Sequence, residues 1–410
     1  MISVDEAQAI VLGHVRTLTT EAVPLEAASS RVLRANVLSD RDLPPFNRAA
    51  MDGFAVRSAD APLAGTRLRV VGEIRAGVWP DRTVGAGEAM RIMTGAPAPE
   101  GADAVIQVER TKMVDGAPAG APEVILEAGV TAGQNIVPRG SEAPSGSVLL
   151  LEGVRLGAAH LAVLAAVGEI EPVVARRPRV AVIVTGDEVV DPRVRPAAAQ
   201  IRNANGPALL AAVHEAGGVG SDFGIVSDDP ETTRDAIARA LNGGHDAIVL
   251  SGGVSAGDFD FVETALGHLG VSLHVTGVRV KPGAPFVFGT RGATLVFGLP
   301  GNPVSAQVTF ELFARPALLK MQGASAFRRP WFEATLVAPL ANRSGRRNYL
   351  PVLVSPGRDG LHALPIRTQG SGDTVAHSLV NALAVLESDR TSADQGDRVA
   401  LYPLSSFLEV

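Results

Sequence analysis

The chain has 410 residues, 46% of them hydrophobic but only 4% aromatic, and a net charge of -6. The charge argues against a general nucleic-acid binder. The absence of cysteine excludes thiol catalysis, disulfides and thiolate metal sites together. At about 150 residues per domain the length predicts two to four domains, with cores drawn from Ala, Val, Leu and Ile.

Ser3 and Glu6 form an S-x-x-E capping box, and Ala7, Ile10, Val11, His14, Val15 and Leu18 follow at helical spacing, predicting a first helix. The same stretch carries acids early and lacks a long apolar core, unlike a signal peptide. No run of eighteen apolar residues occurs, so no membrane span is expected and a cytoplasmic protein is the default. From Val23 to about Val137, short β-like runs ("LRVVGEI", "AVIQVE", "EVILEAG") alternate with Gly and Pro turns, a mostly-β module without a long helix. Leu156 to Glu169 reads as an Ala-rich helix. Strands "RVAVIV", "VGSDFGIV", "DAIVL" and "TLVFGLPG" then alternate with helices "GPALLAAVHEAG", "PETTRDAIARALNG" and "DFDFVETALGHLG". A further helix opens with Asn302 as N-cap and Pro303 at its first position. Such alternation predicts a parallel sheet covered on both faces. After Lys320 short strands return to the C-terminus.

Ligands of a parallel α/β sheet bind at the carboxyl ends of its strands. Four segments follow these ends: Thr185-Gly186-Asp187-Glu188; Ser227-Asp228-Asp229-Pro230; the loop "SGGVSAGDFD" with Ser251, Gly252, Gly253, Ser255, Asp258 and Asp260; and Leu299-Pro300-Gly301-Asn302-Pro303-Val304-Ser305. Glycine turns, hydroxyls and a helix N-terminus suit phosphate, whereas the acids Glu188, Asp228, Asp258 and Asp260 suit Mg2+, which bridges protein carboxylates to substrate phosphates. With the metal, an acid-rich phosphate site is consistent. Each loop also has a plain structural reading: helix caps at Asp228-Asp229-Pro230 and Asn302-Pro303, and a turn at Thr185 to Glu188. Lys281, in "VRVKPGAPF", is either a cation for the site or an ordinary surface lysine.

Gly253-Val254-Ser255-Ala256-Gly257 matches G-x-S-x-G, and Asp373 and His377 lie downstream as partners for a serine hydrolase. Ser255 sits late in its loop, however, and the neighbouring acids oppose an oxyanion. The eight histidines show no metal-binding spacing. In the first β module, "PPFNRAAMDGFAV" holds Asp52, "RIMTGAPAPEGADAVIQVE" holds Thr94, and "GQNIVPRGSEAPSG" holds Glu142; two tight β turns would explain the first two equally well.

Six phrases in order, "AAMDGFAV", "RIMTGAPAPEGADAVI", "VTGDEVV", "SGGVSAGDFDF", "VKPGAPFVFG" and "GLPGNPVSA", resemble the molybdopterin molybdenumtransferase family, which includes MoeA and the gephyrin E domain. The resemblance covers nearly the whole chain. It implies an elongated multidomain α/β protein in four parts: a helical linker domain (1–23 and 138–175), a mostly-β module (24–137), a parallel α/β domain resembling molybdopterin adenylyltransferase (176–325) and a C-terminal β module (326–410). It implies insertion of molybdenum from molybdate into adenylylated molybdopterin, with Mg2+ and release of AMP. It also implies a homodimer whose active site is shared between subunits, and raises contact with molybdopterin adenylyltransferase. By motif, Asp52, Thr94, Glu142, Glu188, Asp228, Asp260 and Lys281 match functional positions, and Pro285, Ser305, Arg346 and Ser371 match the molybdate side. Two departures stand out: Ala284 replaces a lysine common in the family, and Glu142 stands where Asp is common. A non-catalytic scaffold of the same fold is the rival reading.

Overall fold

The computed structural model describes residues 1–114, 122–254, 262–404 and 407. The chain forms two compact units, a larger one of Met1–Ala35, Glu152–Ala158 and Glu171–Val410, and a smaller one of Asn36–Leu151 and Ala159–Ile170. Helix α1 (Val4–Gly13), in the larger unit, starts as its capping box dictates: the Glu6 amide donates to Ser3 Oγ at 3.2 Å and the Ser3 amide to Glu6 Oε2 at 2.7 Å. These bonds satisfy backbone donors that the first helical turn leaves open.

The smaller unit is built on six strands, β1 (Gly53–Val56), β2 (Arg67–Ile74), β3 (Glu88–Ile92), β4 (Ala104–Gln107), β5 (Thr111–Val114) and β6 (Glu123–Leu126), in the order β4-β1-β3-β2-β6-β5. Between Val23 and Val137 the described residues hold only single 3-10 turns besides strands, as the Gly- and Pro-punctuated pattern predicts. Both sheet faces are covered. Phe54, Val56, Leu68 and Ile106 pack on one, and Ala55, Ile74, Met90 and Val105 on the other. Strand β2 runs parallel to β3, pairing Ile74 with Ile92, while β1 runs antiparallel, pairing Gly53 with Ile92. Two strand ends and one strand start therefore share one edge. A Cβ on Gly53 would lie 1.8 Å from the Ile106 carbonyl oxygen, so only glycine admits this approach of β1 to β4. Helix α2 (Ala158–Ala166) matches the predicted Ala-rich helix.

The larger unit carries a six-stranded sheet. Its strands are β7 (Arg179–Thr185), β8 (Val219–Val226), β9 (Ala247–Ser251), β10 (Ser272–Thr276), β12 (Val287–Arg291) and β13 (Thr294–Leu299), in the order β8-β7-β9-β13-β12-β10; β11 (Val280–Lys281) leaves this sheet for another. The four strands read from the sequence, β7, β8, β9 and β13, are parallel, and an antiparallel pair, β12 and β10, extends one side. Val180 and Val182 face one layer, with α1, α3 (Asn205–Glu215) and later helices; Ala181 and Ile183 face the other, with α4 (Pro230–Asn242) and α5 (Val262–His268). That is the two-sided burial expected of continuous apolar strands. The scarce aromatics are not spread evenly: Phe286, Phe288, Phe297, Phe310 and Phe313 gather in the first layer, and the second is aliphatic apart from Phe223 at its margin. Beyond β13, α6 (Pro303–Thr309) runs through a π-helical stretch (Phe310–Ala314) into α7 (Arg315–Met321).

The C-terminal strands are β14 (Phe332–Leu336), β15 (Arg347–Gly357), β16 (Gly360–Pro365), β17 (Ala382–Leu386) and β18 (Arg398–Pro403), with the short helix α8 (Thr374–Ser378) between β16 and β17. Strand β15 pairs with both β16 and β17, closing the five strands on themselves, and β11 adds to β15 in parallel. Among the described residues no helix is long and apolar enough to cross a membrane.

Candidate functional site

Because β7, β8, β9 and β13 are parallel, the segments after them emerge along one edge. There they enclose a cavity of about 390 Å3 whose lining includes Thr185, Gly186, Glu188, Arg202, Asp228, Gly252, Gly253, Pro285, Pro300, Gly301, Asn302 and Pro303. The predicted loops are thus brought together. The backbone at Gly252 has φ +103°, and a Cβ there would sit 2.6 Å from Thr185 Oγ1. The glycine lets the third loop pass directly over the first. Thr185 Oγ1 itself is buried without a hydrogen-bond partner among the described residues.

Three of the predicted residues also bond to the protein's own groups. Asp187 and Asp228 clasp two loops: the Asp228 amide donates to Asp187 Oδ1 at 3.1 Å and the Asp187 amide to Asp228 Oδ2 at 3.4 Å. Ser251 is fully buried, donating to the Pro300 carbonyl and accepting from Asn205 Nδ2 at 2.8 Å, so its hydroxyl braces the cavity from beneath. Asp229, not Asp228, caps α4, accepting from the Thr232 amide at 2.8 Å. That leaves Asp228 to line the cavity with Glu188. Ser255, Asp258 and Asp260 lie outside the described residues. Within those residues no cluster of three or more His, Asp and Glu stands ready for a metal. Two carboxylates, Glu188 and Asp228, in one cavity with glycine turns nevertheless fit the usual protein contribution to Mg2+ binding.

A second cavity, of about 440 Å3, shares Pro285, Pro300 and Asn302 with the first. It contains Lys281 together with Pro285, Ser305, Arg346 and Ser371, the last four being the residues that the resemblance ties to molybdate. Lys281 stands there because β11 pairs with β15, setting Lys281 against Asn348, two residues from Arg346. Neither Lys281 nor Arg346 has an ion-pair partner among the described residues. Asn302 occupies the N-cap position of α6, as predicted, but its side chain does not cap the helix. It donates instead to Ser371 Oγ at 3.0 Å, and the Val304 amide donates to the Ser371 carbonyl at 3.0 Å. The segment carrying Ser371 is thereby latched to the start of α6.

Asp373 and His377 also line this cavity. They do not form the acid–base couple that a hydrolase needs. Asp373 accepts from the amides of Ala376 and Gln369, each at 3.0 Å, as the cap of α8. His377 Nδ1 is buried with no partner among the described residues, and burial pushes its imidazole below the ordinary value against the opposing field of Glu311.

In the smaller unit, Asp52 immediately precedes β1 and Thr94 follows β3, so the Gly53–Ile92 pairing brings them together. The Thr94 amide and hydroxyl both donate to Asp52 Oδ1 at 2.6 Å. These bonds, hydroxyl first, hold the exposed carboxyl below its usual range. Glu142 accepts from Arg48 Nη2 at 2.7 Å. Sequence reasoning missed Asn205, which is 8% exposed and donates to both Ser251 Oγ and the Gly301 carbonyl. The asparagine-rich turn "RNANGP" was its signal.

Family descriptions match along the chain: "MoeA N-terminal region (domain I and II)" over residues 2–168, "Probable molybdopterin binding domain" over 181–320 and "MoeA C-terminal region (domain IV)" over 333–404. A molybdopterin molybdenumtransferase of Nostoc sp. is 35% identical over 399 residues, covering 94% of this chain and 89% of the relative. The protein of that name from Bacillus subtilis is 32% identical over 402 residues, covering 97% and 93%. The solved structure of a molybdopterin biosynthesis MoeA protein from Pyrococcus horikoshii OT3 aligns with a TM-score of 0.82 at 28% identity, covering 98% of this chain and 99% of that one.

Proposed function

The chain belongs to the molybdopterin molybdenumtransferase (MoeA) family, enzymes of molybdenum cofactor biosynthesis, and on that premise we propose that its substrate is adenylylated molybdopterin, that Mg2+ assists, and that AMP is released. One observation carries this reading: two cavities of opposite net charge share a wall, the first setting Glu188 and Asp228 against the single cation Arg202, the second setting Lys281 and Arg346 against the single carboxylate Asp373. The first offers backbone amides, glycine turns and the carboxylates Glu188 and Asp228, which suit a phosphoanhydride held with a cation. The second offers Lys281, Arg346 and the hydroxyls of Ser305 and Ser371, which suit a tetrahedral dianion.

In the reaction, the two dithiolene thiols displace oxygens from molybdate, which leave as water with the thiol protons, and water adds across the phosphoanhydride, freeing AMP and leaving the pterin with its own monophosphate. Mg2+, when bound, neutralises charge on the phosphates. Glu188 and Asp228 would hold it, the Asp187–Asp228 clasp fixing one carboxylate before substrate arrives. Lys281 and Arg346 bind and orient molybdate, and the Asn302–Ser371 bond sets the hydroxyl that faces it. We assign the Asp52–Thr94 pair to the site of a second copy in a homodimer.

The test is incubation of the protein with adenylylated molybdopterin, molybdate and Mg2+, following AMP. Glu188→Gln or Asp228→Asn should slow release by roughly a hundredfold or more, as loss of a charge-positioning group does. Lys281→Ala should instead raise the molybdate concentration needed, by roughly tenfold. Absence of AMP release from the folded native chain would leave the scaffold reading in its place.

A further inference from the structure

The sheet edge that unites Asp52 and Thr94 carries an aromatic pair that the reading above leaves without a task. Strand β2 ends at this edge beside β3, and the Met93 amide donates to the Ile74 carbonyl at 3.1 Å. The turn after β2 presents Trp79, 69% exposed. Its ring stands edge-on to Phe46, centroids 5.8 Å apart at 85°. Phe46 is itself anchored next to the 95–98 segment: Ala98 donates to the Asn47 carbonyl at 2.8 Å and Ala49 to the Ala96 carbonyl at 2.9 Å. Met51, 42% exposed, lies between Phe46 and β1 in the chain. A large aromatic left in water beside a second ring offers a stacking surface, and the neighbouring ring already removes part of the side-chain freedom that binding would cost.

The carboxylate at the same edge narrows the ligand. Asp52 Oδ1 takes both Thr94 bonds, and Oδ2 has no partner among the described residues. A carboxylate only accepts. The aminopyrimidinone edge of a pterin presents two adjacent donors, the ring N–H and the exocyclic amine. The equivalent edge of adenine alternates a donor with an acceptor and would set a lone pair against the carboxylate. We infer that Trp79, braced by Phe46, is a shelf for the pterin ring system, with Asp52 Oδ2 receiving the donor edge of that ring. The inference rests on the substrate reading above and gives Trp79 a binding task in it.

The chain contains two tryptophans, Trp79 and Trp331, so Trp331→Phe leaves Trp79 as the one indole reporter in the full-length protein. Pterins absorb where indole emits. Titration with 6-hydroxymethylpterin should quench Trp79 saturably and sensitise pterin emission, whereas AMP should do neither. In the otherwise native chain, Trp79→Ala should weaken pterin binding roughly tenfold, the usual loss when a stacking ring is removed. Trp79→Phe should restore most of it, and Asp52→Asn should weaken it independently. Unchanged affinity in Trp79→Ala, quenching by AMP in place of the pterin, or no saturable quenching at all would each overturn the shelf. Far-UV dichroism and Trp331 emission check that Trp79→Ala is folded. AMP release separates the two readings: native release with pterin affinity indifferent to Trp79 removes the shelf alone, and pterin-dependent quenching without AMP release removes the transfer reading alone.

Discussion

At the scale of single residues, Asp52 shows how a solvent-exposed carboxyl acquires a defined state. Two donors from one threonine converge on the same oxygen, so its folded pKa lies below the ordinary 3.8. A lowered acid contributes stability above the unfolded value and loses it as pH falls through the folded one, so Asp52 is ionised across the neutral range. Thr94→Val removes the larger of the two causes and keeps the amide. The Asp52 carboxyl should then titrate closer to 3.8, as read by carbon-13 chemical shift, and an unmoved titration would remove Thr94 from this role. The sequence flagged both residues yet could not join them, because local physics sees two turns. Their meeting depends on a strand pairing between positions thirty-nine residues apart, Gly53 and Ile92. Ser251 marks the opposite limit. A hydroxyl in a glycine-rich loop looks like a ligand group, and only Asn205, from a distant helix, shows that it is spent inside the protein.

At the scale of elements, periodicity and capping were legible where they are local. The box at Ser3 and Glu6, the Pro-led start of α4 and the four parallel strands all follow from neighbours in the chain. Strand β11 could not be read this way. Two residues carry no period, and its pairing to β15 is what turns Lys281 from a lysine at a turn into a wall of the second cavity. The antiparallel pair β10 and β12 was likewise hidden among Gly-containing connections. Among the described glycines, the one with least room for a side chain is Gly53, where β1 meets β4. Gly53→Ala would drive a methyl into a backbone carbonyl that cannot yield. The cost should reach about 4 kcal/mol or more, and limited proteolysis should show the smaller unit cut rapidly. Native-like resistance would show that β1 can shift away.

At the scale of the whole molecule, the proposed dimer makes a statement about mixtures. If Asp52 serves the cleft of the other copy, Asp52→Ala and Glu188→Gln chains, each inactive alone, should regain about a quarter of native AMP release when refolded together in equal amounts, since half the dimers pair unlike chains and each of those holds one intact site. Activity that stays at the level of the separate variants would place both residues in one copy. The order of the chain has a further consequence, one of timing. Every described strand of the smaller unit's six-stranded sheet lies between Gly53 and Leu126, so that sheet can assemble as soon as those residues leave the ribosome. Helix α1 cannot settle so early. Its Gln8 donates to the Leu312 carbonyl, 304 positions downstream, and its Leu12 carbonyl accepts from Lys320. At about 5–20 residues per second, the apolar side of α1, with Val4, Ala7 and Val11, emerges well before its partners and waits roughly 15–60 seconds for the surface that covers it. Newly made chains should therefore offer α1 to chaperones throughout that interval, an apolar face made early and buried late.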